Sequence, residues 1–287
     1  MRSLGWVRPC CLVLSMNFVL TSASVRREIE YACPDNIALR MDASIPQGSG
    51  PFPAAIIVHG GGWVRGDKEF DVEPLFAPLS EAGFAWFSIN YRLTTDWAHF
   101  GEAVADVESA IRFVKAHAGE YRVDAGRIGL LGESAGGQLA GMAALRGAPG
   151  TNVRGVVLLY APTDLVTLAK NSEYIPEPFR GTVMSLPFTD MIVDRLAKLS
   201  PALNVKAGMP PFLLIHGTED PLVPYEQSLS FREKARAVGA ECDLYPVPGA
   251  GHGLRWWERN GAIARPYKRE IVRWLTQRLE SPVQVAR

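Results

Sequence analysis

The sequence predicts an α/β protein built on a mostly parallel sheet with helices on both faces. The first observation is a series of short, continuous apolar runs, which are typical of strands that are covered on both faces. These runs lie at 54–58, 84–90, 128–131, 153–159, 212–215 and 242–247. The second observation is that helical patterns separate the runs from residue 54 to the end of the chain. Strands that alternate with helices favour a doubly wound sheet.

The composition suits one large domain and argues against several other classes of protein. The chain has 287 residues, 47% of them hydrophobic and 21% charged, and its formal net charge is zero. A chain of this length can bury most of its apolar surface. Since it has no basic excess and no run of Lys and Arg, we do not expect nucleic acid as a partner.

The first residues of the chain predict a signal peptide at 1–23. Arg2 and Arg8 precede an apolar run at 11–20, and small residues follow it. This order is that of a secretory signal, with cleavage near Ala23. A membrane span needs about twenty apolar residues, so we expect no span and predict a secreted or periplasmic protein.

The remaining chain, 24–287, is predicted to form a single domain. It opens with two alternating segments, 27–31 and 38–45, that indicate an antiparallel strand pair. Helices are predicted at 100–118, 134–146, 226–238 and from about Pro266 to 279, since apolar residues recur there at helical spacing.

One stretch, 164–204, interrupts the alternation of strands and helices. It contains four prolines and no strand pattern. A bare loop of about forty residues is uncommon in a compact domain, so we predict an insertion at about 165–203 with short helices of its own. It follows a strand at the carboxyl edge of the sheet, where ligands bind, and a cap over the site is the favoured interpretation. The alternative is a surface excursion without that role.

Ser134 stands at a turn between a predicted strand and a predicted helix. The sequence Gly132-Glu-Ser-Ala-Gly136 has the G-x-S-x-G pattern of a nucleophile elbow. So tight a turn strains the serine backbone and requires small neighbours. Gly and Ser are also common in ordinary turns, which is the alternative explanation.

A nucleophilic serine needs a general base, and the base needs an acid to orient it. Among five histidines, His252 is the best candidate, because the loop 248–253 follows the last strand and can reach over the sheet edge. The alternative is a loop histidine without a role. The other four are His99 and His117, predicted to be structural, and His59 and His216, which close strands near the site.

The best candidate for the orienting acid is Asp220, which follows the strand at 212–215. Glu219 and Asp164 are rivals, although a turn-capping role suits Asp164. Asp243 lies within a strand and is expected to pair locally. The chain order of serine, acid and histidine is the one that accompanies this type of elbow.

Three consecutive glycines follow the strand at 54–58, in His59-Gly-Gly-Gly-Trp63. Glycines allow backbone N–H groups to approach a ligand closely, although a flexible loop is the simpler reading of a triple glycine alone. After this strand, and together with the elbow, they predict an oxyanion hole. Its donors would be the N–H groups of Gly61, Gly62 and Ala135.

Taken together, four stretches resemble the α/β-hydrolases, and more narrowly the carboxylesterases with an HGGG oxyanion motif of the BD-FAE type (feruloyl- or acetyl-esterase-like). The stretches are 59–67, 90–93, 132–137 and 210–228. The resemblance covers about 30–280 and implies an α/β-hydrolase fold: an eight-stranded sheet whose second strand is antiparallel, with a small cap insertion. It also implies that Cys33 and Cys242 lie on opposite edges of the sheet as free thiols.

Residues beside the predicted catalytic and oxyanion loops are candidates for a substrate pocket. They are Trp63, Tyr91, Glu133, Leu165, Val223 and Leu254. Core packing is the alternative for each of them. Trp256 and Trp257 follow His252, and one of them is expected to face the acyl site while the other packs.

The resemblance implies a serine carboxylesterase that acts on short acyl esters, with acetyl or feruloyl esters of carbohydrates as candidate substrates. No metal or cofactor is expected, and the sequence indicates no oligomeric state. One alternative is an arylformamidase like kynurenine formamidase or a small serine amidase, although Gly62 stands where those enzymes carry a bulkier residue. A prolyl oligopeptidase would carry an extra domain. The alternative from another class is a non-catalytic binding protein on this fold.

Overall fold

The computed structural model describes residues 24–69, 71–94, 99–170 and 189–280. The predicted signal peptide at 1–23 and the middle of the predicted insertion, 171–188, lie outside the described residues.

Eight strands form one sheet in the order β1-β2-β4-β3-β5-β6-β7-β8. The strands are β1 (Ser24–Ala32), β2 (Leu39–Ile45), β3 (Phe52–Val58), β4 (Ala85–Ile89), β5 (Val123–Glu133), β6 (Gly155–Leu159), β7 (Phe212–Gly217) and β8 (Cys242–Val247). Strand β2 runs antiparallel to both of its neighbours, and the other neighbouring pairs are parallel. The mostly parallel sheet with an antiparallel second strand is therefore confirmed.

Helices cover both faces of this sheet. They are α1 (Phe76–Glu81), α2 (Phe100–Ala116), α3 (Ala118–Tyr121), α4 (Ser134–Arg146), α5 (Leu165–Lys170), α6 (Thr189–Lys198), α7 (Glu226–Ala237), α8 (Leu254–Arg259) and α9 (Gly261–Glu280). Along β3, Ala54, Ile56 and Val58 join a core cluster with α2, α4 and α7. The alternate residues Ala55 and Ile57 join a second cluster with α1, α8 and α9. Successive side chains of a strand point to opposite faces of the sheet, so a continuous apolar run contributes to the core clusters on both faces.

The helix pattern differs from the prediction in two respects. The last helix begins at Gly261 rather than at Pro266, because Asn260 caps it: the Ala262 N–H donates to Asn260 Oδ1 at 3.2 Å. An amide side chain at the cap position stabilises the first turn, so the proline lies inside the helix. Helices α1, α3 and α8 were not predicted, since four to six residues are too few to display a helical period.

The two cysteines of the described chain lie on opposite edges of the sheet, as the resemblance implied. Cys33 directly follows β1 and is exposed, whereas Cys242 opens β8 and is buried; both are free thiols. Burial, with the nearby charge of Asp243, raises the pKa of Cys242 to about 12. The buried thiol is therefore a poor nucleophile at neutral pH.

Helices α5 and α6 lie at the two ends of the predicted insertion. Two hydrogen bonds connect the start of the insertion to its end. The Leu165 N–H donates to Ser200 Oγ, and the Ala202 N–H donates to Thr163 O, both at 2.8 Å. The role of this segment as a cap stays a prediction. Within the described ranges, no helix combines the length and apolar character that crossing a bilayer requires.

Candidate active site

Ser134 begins α4 immediately after β5, and its backbone is strained. Its φ is 51°, in the left-handed region that side chains with a Cβ rarely adopt. The neighbouring glycines allow the turn to pack closely. A Cβ added at Gly132 would lie 2.3 Å from Gly136 O, and one at Gly136 would lie 2.2 Å from His59 O. The elbow therefore holds the start of α4 directly against the end of β3.

The structure brings Ser134, His252 and Asp220 together at the carboxyl ends of β5, β8 and β7. His252 Nε2 lies 2.9 Å from Ser134 Oγ, and His252 Nδ1 lies 2.7 Å from Asp220 Oδ2. An ionised carboxylate only accepts hydrogen bonds, so the proton belongs on Nδ1. The lone pair of Nε2 then faces the serine hydroxyl, which is the geometry that general-base catalysis needs.

Asp220 is held ionised by its surroundings. Burial alone would raise the pKa of this carboxyl, but hydrogen bonds from His216, His252 and the Val223 N–H hold the pKa well below its usual range. Its Oδ1 accepts the N–H groups of Leu222 and Val223, each at 2.9 Å. A fixed negative charge behind the imidazole stabilises the imidazolium form.

His216 is a partner of Asp220 that the sequence interpretation placed near the site but gave no role. Its Nε2 lies 2.9 Å from Val223 O and 3.5 Å from Asp220 Oδ2, and its Nδ1 lies 2.7 Å from Ser228 Oγ. A carbonyl oxygen only accepts, so Nε2 carries a proton that is also directed toward the carboxylate. The sequence could have indicated this contact, since His216 lies at the end of β7, four residues before Asp220.

The rival acids have partners elsewhere or face solvent. Asp164 Oδ1 accepts the Thr167 N–H at 3.0 Å, which is the predicted capping role at the start of α5. Asp243 accepts a hydrogen bond from Trp274 Nε1 at 2.8 Å. Glu219 is exposed. The structure brings none of these carboxylates to His252.

The remaining histidines have structural surroundings. His59 is buried and stacked on Tyr91, with ring centroids 4.4 Å apart. Burial lowers the pKa of His59 to about 4, so its ring is neutral at pH 7. His117 stacks on Phe113 at the end of α2, at 4.0 Å, and His99 is exposed.

The glycine loop after β3 presents unused backbone donors. Gly61 and Gly62 have φ values of +101° and +63°, and a Cβ at Gly61 would lie 2.0 Å from Arg65 O. Within the described part of the chain, the N–H groups of Gly61 and Gly62 donate to no acceptor. The Ala135 N–H lies in the first turn of α4, where helices leave N–H groups without an intrahelical acceptor. The three predicted donors are thus available to a ligand oxygen.

Glu133 lies beneath the glycine loop, and its place in the pocket stays a prediction. Its Oε1 accepts the Gly60 N–H at 2.5 Å, and the carboxylate is also hydrogen-bonded to the Tyr160 hydroxyl. Burial raises the pKa of Glu133 to about 7, and Asp71 adds to the effect, although the charge of His252 and both hydrogen bonds oppose it.

The other five predicted pocket residues are also buried, so each contributes to packing: Trp63, Tyr91, Leu165, Val223 and Leu254. The Tyr91 hydroxyl is directed at the backbone, 3.1 Å from His59 O. The Trp63 Nε1–H donates to Gln138 Oε1 at 2.9 Å. Their place in the pocket stays a prediction.

The two tryptophans after His252 differ in burial, and one of them packs in the core as expected. Trp257 is fully buried, with its ring edge-on to Tyr160 at 5.0 Å, whereas Trp256 is 43% exposed. Trp257 is thus the packing residue of the pair. An acyl-facing role for Trp256 stays a prediction.

Tyr160 is a residue of the site that the sequence pattern did not predict. Its ring lies edge-on to His252 with centroids 4.6 Å apart, and its hydroxyl accepts the Leu254 N–H at 2.9 Å. Its φ is 37°, so its backbone is strained as well. Tyr160 directly follows β6, at the sheet edge that carries the other site residues. That position could have indicated it as a site residue.

A serine hydroxyl paired with imidazole, a carboxylate behind the imidazole and unused N–H donors can together perform acyl transfer. In the part of the chain that the structure describes, no group of three or more His, Cys, Asp or Glu side chains is arranged to hold a metal ion. The fold and this geometry define an α/β-hydrolase. The chain belongs to the BD-FAE family, whose family model matches residues 41–235.

Solved structures with this fold include esterases. An esterase from Thermogutta terrifontis, Est2, is 26% identical with a TM-score of 0.72, covering 89% of this chain and 92% of that chain. A truncated carbohydrate esterase from gut microbiota is 25% identical with a TM-score of 0.78, covering 91% and 98%.

Among sequence relatives, the esterase LipC of Mycobacterium tuberculosis is 30% identical over 249 residues. The match covers 83% of this chain and 61% of LipC. This chain therefore spans less than two thirds of the length of that relative.

The contact between α4 and the end of β3 predicts that Gly136→Ala destabilises the fold. The added methyl would overlap the carbonyl oxygens of His59 and Val58, and relief requires movement of backbone. We expect a loss of about 1–3 kcal/mol in the free energy of unfolding, measured by urea denaturation. The matched control is Gly119→Ala in α3, where a Cβ meets no atom within 4 Å. Equal stability of the two variants would contradict the described contact.

Proposed function

We propose that the chain is a serine carboxylesterase that hydrolyses short acyl esters. The observation that carries the proposal is the hydrogen-bonded series from Ser134 through His252 to Asp220, at 2.9 and 2.7 Å. The esterases among its sequence and structural relatives support it.

In the proposed mechanism, Ser134 Oγ attacks the ester carbonyl while His252 Nε2 takes the hydroxyl proton. Asp220 stabilises the imidazolium that forms. The N–H groups of Gly61, Gly62 and Ala135 donate to the oxyanion of the tetrahedral intermediate. His252 then returns the proton to the leaving alcohol, and water hydrolyses the acyl-enzyme by the same route.

The substrate class that we propose is acetyl or feruloyl esters of carbohydrates. The structural likeness to a carbohydrate esterase supports this class. We also propose export through the signal peptide at 1–23, which matches the secretory pattern of a basic start and a short apolar run. N-terminal sequencing of the protein recovered outside the cytoplasm tests it: a chain that still begins at Met1 rejects cleavage.

Ser134→Ala should abolish hydrolysis of p-nitrophenyl acetate, because the variant has no nucleophile. A fluorophosphonate probe should label wild-type Ser134 and leave the variant unlabelled. Circular dichroism and the unfolding midpoint check that the variant is folded. Unchanged turnover in the folded variant would reject the proposal, and an unlabelled, inactive wild type would favour a binding protein.

Asp220→Asn should lower kcat by about four powers of ten, because the imidazole loses the anion that selects its tautomer and stabilises its charged form. The matched control is Asp164→Asn, which alters the rival carboxylate at the start of α5. We expect that variant to keep its rate within about tenfold, since Asp164 caps a helix. Steady-state rates on p-nitrophenyl acetate distinguish the two variants. A larger loss of kcat in Asp164→Asn than in Asp220→Asn would indicate that Asp164 is the orienting acid.

A substrate panel should give the highest kcat/KM for acetyl esters and lower values as the acyl chain lengthens, because bulky side chains such as Trp63 and Leu165 are predicted to line the pocket. The panel contains p-nitrophenyl acetate, butyrate and octanoate, acetylated xylan fragments, methyl ferulate and N-formylkynurenine. Fastest turnover of the last compound would favour the arylformamidase alternative instead.

A further inference from the structure

Glu133, directly before Ser134, is a buried carboxylate that forms no ion pair with a Lys or Arg side chain of the described residues. Glu133 is only 3% exposed. A second acid, Asp71, adds to the negative potential around it. Burying a carboxylate without a paired Lys or Arg is costly, so a specific reason for a glutamate at this position is expected.

The carboxylate links three loops of the site. Its Oε1 holds the Gly60 N–H at 2.5 Å, next to the two glycines that present the unused donors. Its other contact is the hydroxyl of Tyr160. That hydroxyl accepts the Leu254 N–H at 2.9 Å, and the Tyr160 ring lies against His252 at 4.6 Å.

We propose that Glu133 is a positioning residue, and that its ionised carboxylate holds the glycine loop and the His252 loop in place around Ser134. This inference rests on the proposed function, since it concerns the geometry of the same reaction. Glu133 does not touch the reacting atoms. It acts through Gly60 on the oxyanion donors and through Tyr160 on the general base.

The ionised form suits this role better than the neutral form. Two donors, the Gly60 N–H and the Tyr160 hydroxyl, converge on the carboxylate, and an anion accepts both. A protonated carboxyl must use one oxygen as a donor, which competes with the hydroxyl proton of Tyr160. Hydrogen bonds to a charged acceptor are also roughly twice as strong as those to a neutral one.

Several titratable groups face Glu133 from different elements. His252 follows β8, Tyr160 follows β6, Tyr91 follows β4, and Asp71 precedes α1. With these neighbours, burial raises the pKa of Glu133 to about 7, so it titrates near neutral pH. As pH falls through this range, Glu133 gains a proton. The glycine loop and the His252 loop then lose the stronger hydrogen bonds that the ionised carboxylate accepts. The active form therefore requires Glu133 to be deprotonated.

Glu133→Gln tests the role in kinetics on p-nitrophenyl acetate. The acid limb of log kcat/KM against pH should be steeper in the wild type than in the variant, because the variant lacks the titration of Glu133. Above pH 8, kcat should fall by about one to two powers of ten with KM little changed, because the loops are misplaced. The matched control is Glu219→Gln, the exposed glutamate directly before Asp220, which should keep the wild-type slope and rate. An unchanged slope or unchanged kcat in Glu133→Gln would overturn the inference.

A stability measurement separates positioning from simple structural support. The folded-state pKa of Glu133 lies above its value of 4.5 in the unfolded chain, so folding favours the protonated form. Its contribution to stability is present below pH 4.5 and is lost as pH rises through about 7. We therefore expect Glu133→Gln to gain stability relative to the wild type above pH 7 while it loses rate. A variant that is less stable at every pH would indicate a structural role and reject the proposal.

Hydrogen exchange of the peptide containing Gly60–Gly62 gives a readout without turnover. Above pH 8, exchange of the Gly60 amide should be about tenfold faster in Glu133→Gln, since a neutral acceptor holds it less strongly. If the wild type is neither labelled nor active, the proposed esterase function fails and this exchange still decides the role of Glu133. If the enzyme is active but exchange is equal in both proteins, the esterase stands and the positioning role is rejected.

Discussion

The site depends on one close backbone contact, between the first turn of α4 and the end of β3. At Gly136 the helix lies so near the carbonyl oxygens of Val58 and His59 that a methyl group has no room. This contact places Ser134 beside the glycine loop, whose Gly61 and Gly62 N–H groups are the proposed oxyanion donors. Strain at the serine, with its φ of 51°, follows from the same tight turn. The packed core on both faces of the sheet holds that strained turn in place.

The two carboxylates of the site show how environment decides protonation. Asp220 is surrounded by donors, two histidine rings and two backbone N–H groups, and its pKa is held low in spite of burial. Glu133 is at least as deeply buried but receives fewer donors and has Asp71 as an anionic neighbour, and its pKa is raised. Groups whose environments move their pKa values apart can take different tasks in one site. In the proposed mechanism Asp220 supports the general base, and in the proposed positioning role Glu133 holds the surrounding loops.

Much of this arrangement could be predicted from local patterns in the sequence. Apolar runs gave the strands, and parallel strands end at one edge, so residues that directly follow them, such as Ser134, were expected to meet there. Glu133 and Tyr160 were harder, because their roles arise from contacts between residues far apart in the chain, and no spacing records a buried hydrogen bond. The start of α9 was misplaced because Pro266 was read as its first turn, whereas the Asn260 side chain begins the helix earlier.

The joined base of the insertion has a consequence for the evolution of this family. Leu165 and Ser200 lie 35 residues apart in sequence, yet one hydrogen bond of 2.8 Å connects them. A second bond, from Ala202 to Thr163, closes the same gap beside it. Because the chain leaves and re-enters the domain at one place, residues between these points can be lengthened, shortened or exchanged without a change in the register of β6 and β7. Replacement of this segment would therefore leave the sheet edge that carries Ser134, Asp220 and His252 in place.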